Sequence, residues 1–353
     1  MKSCLNGPHE LVIATRMGHL RAFTRVGIAA VSGAVALQHL STPAVAPARA
    51  HCRALATGAG ATTANVRLAS TIKTPHFPTT VLVHGLDSSK ETWSGIVSDL
   101  TRLGFPAIAL DLRGHGESPM GDPQDFGPET LARDIMASVS EIPLAQIVLV
   151  GHSMGGKVAI HVAERMKSEM PGVLQALVIE DMDVKLRPKA HPADEEMPAE
   201  RVQQLREFAH EKGRWFSSWD AARLALLPWY ENDVRRVESW KHTRVRQTST
   251  GWWSDINPAA QRLARDTILS SSTTALAWDA LKDAPFPIHL WVADASGSVC
   301  SWEGEGGING MTTRVPLAQA RLFRDAGHSI HNTARKEFLE ALVDVIRSAA
   351  ASK

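Results

Sequence analysis

The stretch Ile147-Val148-Leu149-Val150-Gly151-His152-Ser153-Met154-Gly155-Gly156 decides the fold. Its first four residues are an uninterrupted apolar run, the pattern of a strand buried on both faces. The segment from 154 to 168 is amphipathic at helical spacing. Between the two lies G-x-S-x-G, so the sequence predicts a strand, one sharp turn and a helix, the context of a nucleophile elbow. In so tight a turn the serine takes strained backbone angles. Side chains two positions to either side would collide, which is why Gly151 and Gly155 stand there. The turn lifts the Ser153 hydroxyl above the sheet and aims the Met154 N–H and the start of the helix at the reacting centre.

The pattern repeats outward from the elbow. Residues 81–83, 107–110, 176–179 and 288–292 are further short apolar runs bounded by Gly, Pro or Asp. Amphipathic stretches at 91–103, 129–140 and 333–349 lie between or after them, the last with Phe338, Leu339, Leu342, Val345 and Ile346 on one face. Strands alternating with helices predict an α/β fold, a mostly parallel sheet covered on both sides. The rhythm breaks between 184 and 285, where no buried strand is legible and seven of the ten tryptophans fall: Trp215, Trp219, Trp229, Trp240, Trp252, Trp253 and Trp278. A structureless loop of that length is implausible, so this interval is expected to be an inserted helical lid. Most of its tryptophans would bury the lid's own core, and some would line an apolar acyl-binding cleft. The chain divides accordingly into a leader (1–75), a first core part (76–183), the lid (184–285) and a second core part (286–353). Residues 303–310 read as a flexible surface loop.

Bulk properties narrow the function. At 44% hydrophobic and 21% charged the chain is an ordinary globular sequence. The formal charge of +1 hides an asymmetry: residues 1–75 hold eight Lys/Arg and one acid, Glu10, against 30 basic and 36 acidic residues in the remainder. An acidic body lacks the basic footprint that nucleic acid requires. The leader, rich in Ala, Ser, Thr and Arg, with Arg16, Arg21 and Arg25 at helical spacing, reads as an organelle transit peptide cleaved between about 50 and 75. A mitochondrial destination is favoured over a plastid or secretion. The apolar run from Val26 to Leu37 has the length of a signal-peptide core and is too short to span a membrane. Cys4 and Cys52 lie in the leader, so the processed body keeps Cys300 alone, packed and unpaired, and no Cys/His metal cluster is spelled out.

Two further segments carry chemistry. In Val81-Leu82-Val83-His84-Gly85-Leu86 a strand ends in His-Gly, and the turn there would present the Leu86 N–H as the second oxyanion donor beside Met154. His84 itself is expected to be structural. Ala326-Gly327-His328 precedes the last helix. A serine hydroxyl needs a base within hydrogen-bond reach, and His328 is the candidate, with His331 as its rival. In the run from Leu110 to Ser118, Asp111 and Arg113 are expected to fix a glycine-bearing loop rather than to react.

Together these segments resemble the α/β-hydrolase superfamily over about residues 79–350. Within it, GHSMGGK at 151–157 resembles a narrower group of mitochondrial abhydrolase-domain proteins and related bacterial esterases. The resemblance implies a serine hydrolase that cleaves carboxylic esters, acyl glycerols or short to medium acyl esters, with no cofactor, metal or integral membrane segment. Thioester or C–C bond hydrolysis by the same triad is the alternative, and a non-catalytic scaffold on the same fold the rival of another class. It also implies the order nucleophile, acid, histidine, hence Ser153 and His328. The acid is open. In the loop after the strand 288–292, Asp294 lies about two residues early and Ser296 nearer the expected place. The end of the strand 176–179 offers Glu180, Asp181 and Asp183. The resembling esterases carry Asp at the position of Asp181, which is therefore favoured, with Asp294 as the alternative.

Overall fold

The computed structural model describes residues 11–17, 20–26, 77–141, 146–188, 198–295 and 297–351. Near the N-terminus, β1 (Leu11–Met17) and β2 (Leu20–Val26) pair antiparallel, with Arg16 opposite Arg21. This replaces the helix expected from the arginine spacing. Val12, Ile13, Thr15, Thr24 and Val26 are β-branched and favour extended chain. The expected cleavage region and all but the first residue of the Val26–Leu37 run lie outside the described residues.

The body is built on a six-stranded, all-parallel sheet. Its strands are β3 (Thr79–Val83), β4 (Ala107–Leu110), β5 (Ile147–His152), β6 (Leu174–Glu180), β10 (Ile288–Ala293) and β11 (Ala318–Phe323), in the spatial order β11-β10-β6-β5-β3-β4. The five apolar runs are five of these strands. Strand alternation explains why each run is continuous: Val81, Val83, Ile147, Leu149, Leu177 and Ile179 enter one hydrophobic layer, and Leu82, Val148, Val150, Ala176 and Val178 enter the other. The first layer packs under α2 (Pro128–Ser140) and α3 (Met154–Glu169), the second under α1 (Ser94–Arg102) and α11 (Arg335–Ala351). Each fully buried Val, Leu or Ile contributes roughly 1.5–3 kcal/mol relative to exposure.

Between β6 and β10 the chain forms α4 (Ala199–Phe208), α5 (Trp219–Leu226), α6 (Val234–Glu238), α7 (Pro258–Leu263) and α8 (Thr273–Asp279). It also forms a small antiparallel sheet ordered β7-β9-β8, from Trp215–Phe216, Gly251–Ser254 and Val245–Thr248. The helical reading of this interval therefore omitted three strands. They are two to four residues long and form a sheet separate from the six-stranded one, so no apolar run announces them. The tryptophans largely pack together: Trp215 on Trp253 with ring centroids 5.1 Å apart, Trp219 on Trp252 at 5.9 Å. Trp278 is fully buried and donates to the Met311 carbonyl at 3.1 Å. Residues 303–310 are tied down. The Val184 N–H donates to the Gly306 carbonyl at 3.1 Å, and Ile308, fully buried, opens α9 (Ile308–Arg314).

All the candidate residues sit where parallel strands end, the edge at which open α/β sheets place their ligands. Ser153 follows β5, Asp181 follows β6, and His84-Gly85 follow β3. His328 lies after β11, just before the short α10 (Ile330–Thr333). Main-chain bonds carry the ladder past the strand ends: Ser153 N–H to Glu180 O at 2.9 Å, Asp181 N–H to Trp291 O at 2.7 Å, and Ala295 N–H to Ala326 O at 3.0 Å.

Candidate active site

Ser153 has φ 54° and ψ −123° and sits between β5 and α3. Left-handed φ is costly for a residue with a Cβ, of order 1–3 kcal/mol, and here the packing of the turn imposes it. A Cβ on Gly155 would overlap the His84 and Val83 carbonyl oxygens, and one on Gly151 would overlap the Gly155 main chain. The end of β3 is thus pressed against the elbow. From the other side a Cβ on Gly85 would stand 3.0 Å from Ser153 Cβ and 2.9 Å from His152 Nδ1. That contact places the turn leading to Leu86 against Ser153.

His328 Nδ1 lies 2.6 Å from Asp181 Oδ2. A carboxylate can only accept, so Nδ1 carries the proton and Nε2 is left free in the neutral ring. Asp181 is fully buried and itself takes φ 46°. Its oxygens accept three more bonds, from the Ala293 N–H at 3.1 Å, the Ser298 hydroxyl at 2.7 Å and the Val299 N–H at 3.0 Å. Burial works to raise its pKa, but the donors His328, Ser298, Val299 and Ala293 outweigh it, and the carboxyl is held below the ordinary range.

The other candidates are placed elsewhere. Asp294 is exposed at the end of β10, and among the described residues it makes no bond to His328. Ser296 lies outside the described residues, whereas Ser298, which sequence reasoning passed over, donates to Asp181. Asp183 accepts from Arg187 at 2.7 Å and from the Ser301 N–H at 2.9 Å. Glu180 is turned to His331, 2.8 Å from its Nδ1, and both are buried. Cys300 is half-buried, and burial beside Asp181 pushes its thiol pKa up strongly. No cluster of His, Cys, Asp and Glu among the described residues could hold a metal ion.

Neighbouring groups hold the loops. His84 is buried, donates through Nδ1 to Gly85 O at 2.8 Å and accepts the Leu112 N–H on Nε2 at 3.0 Å. Burial lowers its pKa to about 4, so it is a neutral structural brace for the Gly85 turn. Asp111 accepts from the Lys90 ammonium at 2.8 Å and from the main-chain N–H groups of Lys90 and Glu117. Arg113 pairs with Asp134 at 2.6 Å. Both residues fix the loop after β4, as the sequence suggested.

A strained serine between strand and helix, a carboxylate at the end of the adjoining strand and a histidine on the loop after β11 make the layout of an α/β hydrolase. The chain belongs to that family: the model described as "Alpha/beta hydrolase family" matches residues 80–341, most of the chain. Among curated proteins it is similar to human protein phosphatase methylesterase 1, 37% identical over 91 residues, which cover 24% of this chain and 23% of that protein. It is also similar to the mouse sn-1-specific diacylglycerol lipase ABHD11, 34% identical over 116 residues, covering 32% and 36%. The matches thus span about a quarter to a third of these relatives' lengths. Among solved structures it resembles E-2-(acetamidomethylene)succinate hydrolase, with a TM-score of 0.54 at 18% identity over 76% of this chain and 91% of that one, a likeness of fold. No helix among the described residues is long and apolar enough to cross a membrane.

Proposed function

We propose that this protein is a serine hydrolase that cleaves carboxylic esters through an acyl-enzyme on Ser153. The observation that carries the reading is the 2.6 Å bond from His328 Nδ1 to the buried Asp181, at a strand end adjoining the strained Ser153 turn. In the first half-reaction Ser153 Oγ attacks the ester carbonyl while His328 Nε2 takes its proton. The Leu86 and Met154 N–H groups receive the oxyanion, a contribution of roughly 3–4 kcal/mol to the barrier for one such donor. The C–O bond then breaks, and the His328 imidazolium returns its proton to the leaving alcohol. In the second half-reaction water attacks the acyl-enzyme, with His328 again as base, and Ser153 is released. Asp181 keeps Nε2 the basic nitrogen and stabilises the imidazolium without becoming protonated. Every step uses groups of this chain and water.

The substrate class is an acyl glycerol or a short to medium acyl ester. The similarity to a diacylglycerol lipase and to a methylesterase supports ester over other acyl chemistry. A panel of nitrophenyl esters from acetate to palmitate, run beside the matching acyl-thioesters, tests this. Higher kcat/KM on the esters is expected, and an exclusive preference for thioesters would refute it. The basic leader and the resemblance to mitochondrial relatives support a mitochondrial site of action. A tagged full-length chain should be found there with its N-terminus removed, and an intact Met1 would contradict this.

A further inference from the structure

Two adjacent carboxylates at the end of β6 each take one histidine of the same loop. Asp181 takes His328. Glu180 takes His331, whose main-chain N–H donates to Glu180 Oε1 at 2.9 Å and whose Nδ1 lies 2.8 and 2.9 Å from the two carboxylate oxygens. Both side chains of this second pair are fully buried. His331 Nε2 meets the Thr92 hydroxyl at 3.0 Å and the Asn332 side-chain amide at 3.1 Å, so the ring is held at both nitrogens. His152, next to the nucleophile, lies between the two loop histidines, its ring centroid 4.6 Å from His328 and 5.1 Å from His331. Its Nε2 is 3.0 Å from the His328 carbonyl oxygen. A carbonyl only accepts, so this nitrogen carries the proton. Burial, which lowers the ring's pKa to about 4, keeps it neutral.

We propose that the buried Glu180–His331 pair is a positioning clamp that, together with His152, fixes the main chain from His328 to His331 relative to Ser153. The proposal rests on His328 acting as the general base for Ser153. Glu180 contributes from both ends. Its main-chain carbonyl accepts the Ser153 N–H at 2.9 Å, while its side chain accepts the loop at His331. One residue therefore ties the nucleophile's backbone to the histidine's backbone, and the next residue carries the acid. A buried carboxylate is costly unless charge and hydrogen bonds compensate it. Here burial works to raise the Glu180 pKa, and its interaction with His331, hydrogen bonds included, outweighs it and holds the carboxyl below its ordinary range. An apolar residue at this place in β6 would serve the sheet equally well. The hydrogen-bonded pair is used to set the position of this segment, where a misplacement of about 1 Å costs on the order of a hundredfold in rate.

The test compares Glu180→Val, Glu180→Gln and His331→Asn with wild type. Three quantities are read: the second-order rate of fluorophosphonate labelling, the final labelling stoichiometry at Ser153, and the kcat and KM of one nitrophenyl ester. The clamp predicts full stoichiometry, an unchanged KM, and labelling rate and kcat lower together by roughly 10- to 100-fold in Glu180→Val. The loss should be smaller in Glu180→Gln, which keeps one acceptor for the loop. A purely structural role would lower the stoichiometry and leave the rate per competent site unchanged, and that outcome overturns the clamp. So does wild-type kinetics in all three variants. If Glu180→Val does not fold, Glu180→Gln and His331→Asn carry the same comparison. Wild-type protein that does not label at Ser153 overturns the underlying reading and the clamp with it, whereas labelling with no rate change in the variants overturns the clamp alone.

Discussion

Replacing Asp181 by asparagine changes one atom and the direction of one hydrogen bond. Asp181 Oδ2 receives His328 Nδ1–H at 2.6 Å and the Val299 N–H at 3.0 Å, while Oδ1 receives Ala293 and Ser298. In the amide only one of these two atoms can accept. If the NH₂ takes the Oδ2 place, it faces two donors. The Val299 N–H then loses its acceptor, at about 1–3 kcal/mol of stability. The imidazole resolves the second conflict by accepting on Nδ1 and moving its proton to Nε2, which removes the base. The same change of tautomer costs up to about 10⁴ in rate in serine proteases, about 5.5 kcal/mol at about 1.4 kcal/mol per decade. The expected result is a folded protein whose kcat on a nitrophenyl ester is down by roughly three to four decades, while the exposed Asp294→Asn control stays within about twofold of wild type. The assay is initial-rate kinetics beside circular dichroism and a thermal midpoint on the same preparations. Wild-type turnover in Asp181→Asn with none in Asp294→Asn would put the acid on the wrong strand and refute the tautomer argument. Partial loss in both singles with a dead double mutant would mean the two carboxylates share the work.

Other outcomes follow from the same geometry. Burial holds His84 and His152 at pKa values of about 4 and His115 at about 3. Between about pH 6.5 and 4 the unfolded chain therefore binds protons that the folded one refuses, and stability falls as pH falls, each ring adding up to about 1.4 kcal/mol per pH unit. Urea unfolding midpoints at pH 7, 6 and 5 check this, and a flat profile would contradict it. Gly85→Ala should place a methyl 3.0 Å from Ser153 Cβ and 2.9 Å from His152 Nδ1. Displacing the Leu86 donor should lower kcat by about 10²–10³ with little change in thermal midpoint, and unchanged kcat would show that this turn does not serve the oxyanion. Ser298→Ala removes one of the bonds to Asp181 and should cost about 1 kcal/mol of stability with only a few-fold loss of turnover, and a complete loss would mean that Ser298 does more than hold the acid.

The sheet was legible wherever a strand is covered on both faces, because 81–83, 107–110, 147–150, 176–179 and 288–292 then have no polar alternation to blur them. β11 was missed for the opposite reason. At the sheet edge its Gln319, Ala320 and Arg321 are exposed, and only its ends are buried. The three short strands of the insertion pair locally around tryptophans and polar residues, a pattern that overlaps with helix and loop. In the site, Ser153 was fixed by the covalent neighbourhood of one turn, and His328 by its Gly-His context before the last helix. The acid stayed open between Asp181 and Asp294 because the distance from β6 or β10 to a loop after β11 is a property of strand order, which no local pattern encodes. For the same reason Ser298 and the Glu180–His331 pair were invisible: their partners stand 117 and 151 residues away in the chain.

The central claim, that Ser153 is an activated nucleophile, is tested most directly by mapping a fluorophosphonate adduct by peptide mass spectrometry on wild type and Ser153→Ala. A single adduct on the peptide carrying Gly151-His152-Ser153-Met154-Gly155 is expected in wild type. None is expected in Ser153→Ala, with an unchanged circular dichroism spectrum and no ester hydrolysis. An adduct on another residue, or hydrolysis that survives the substitution, would contradict the account.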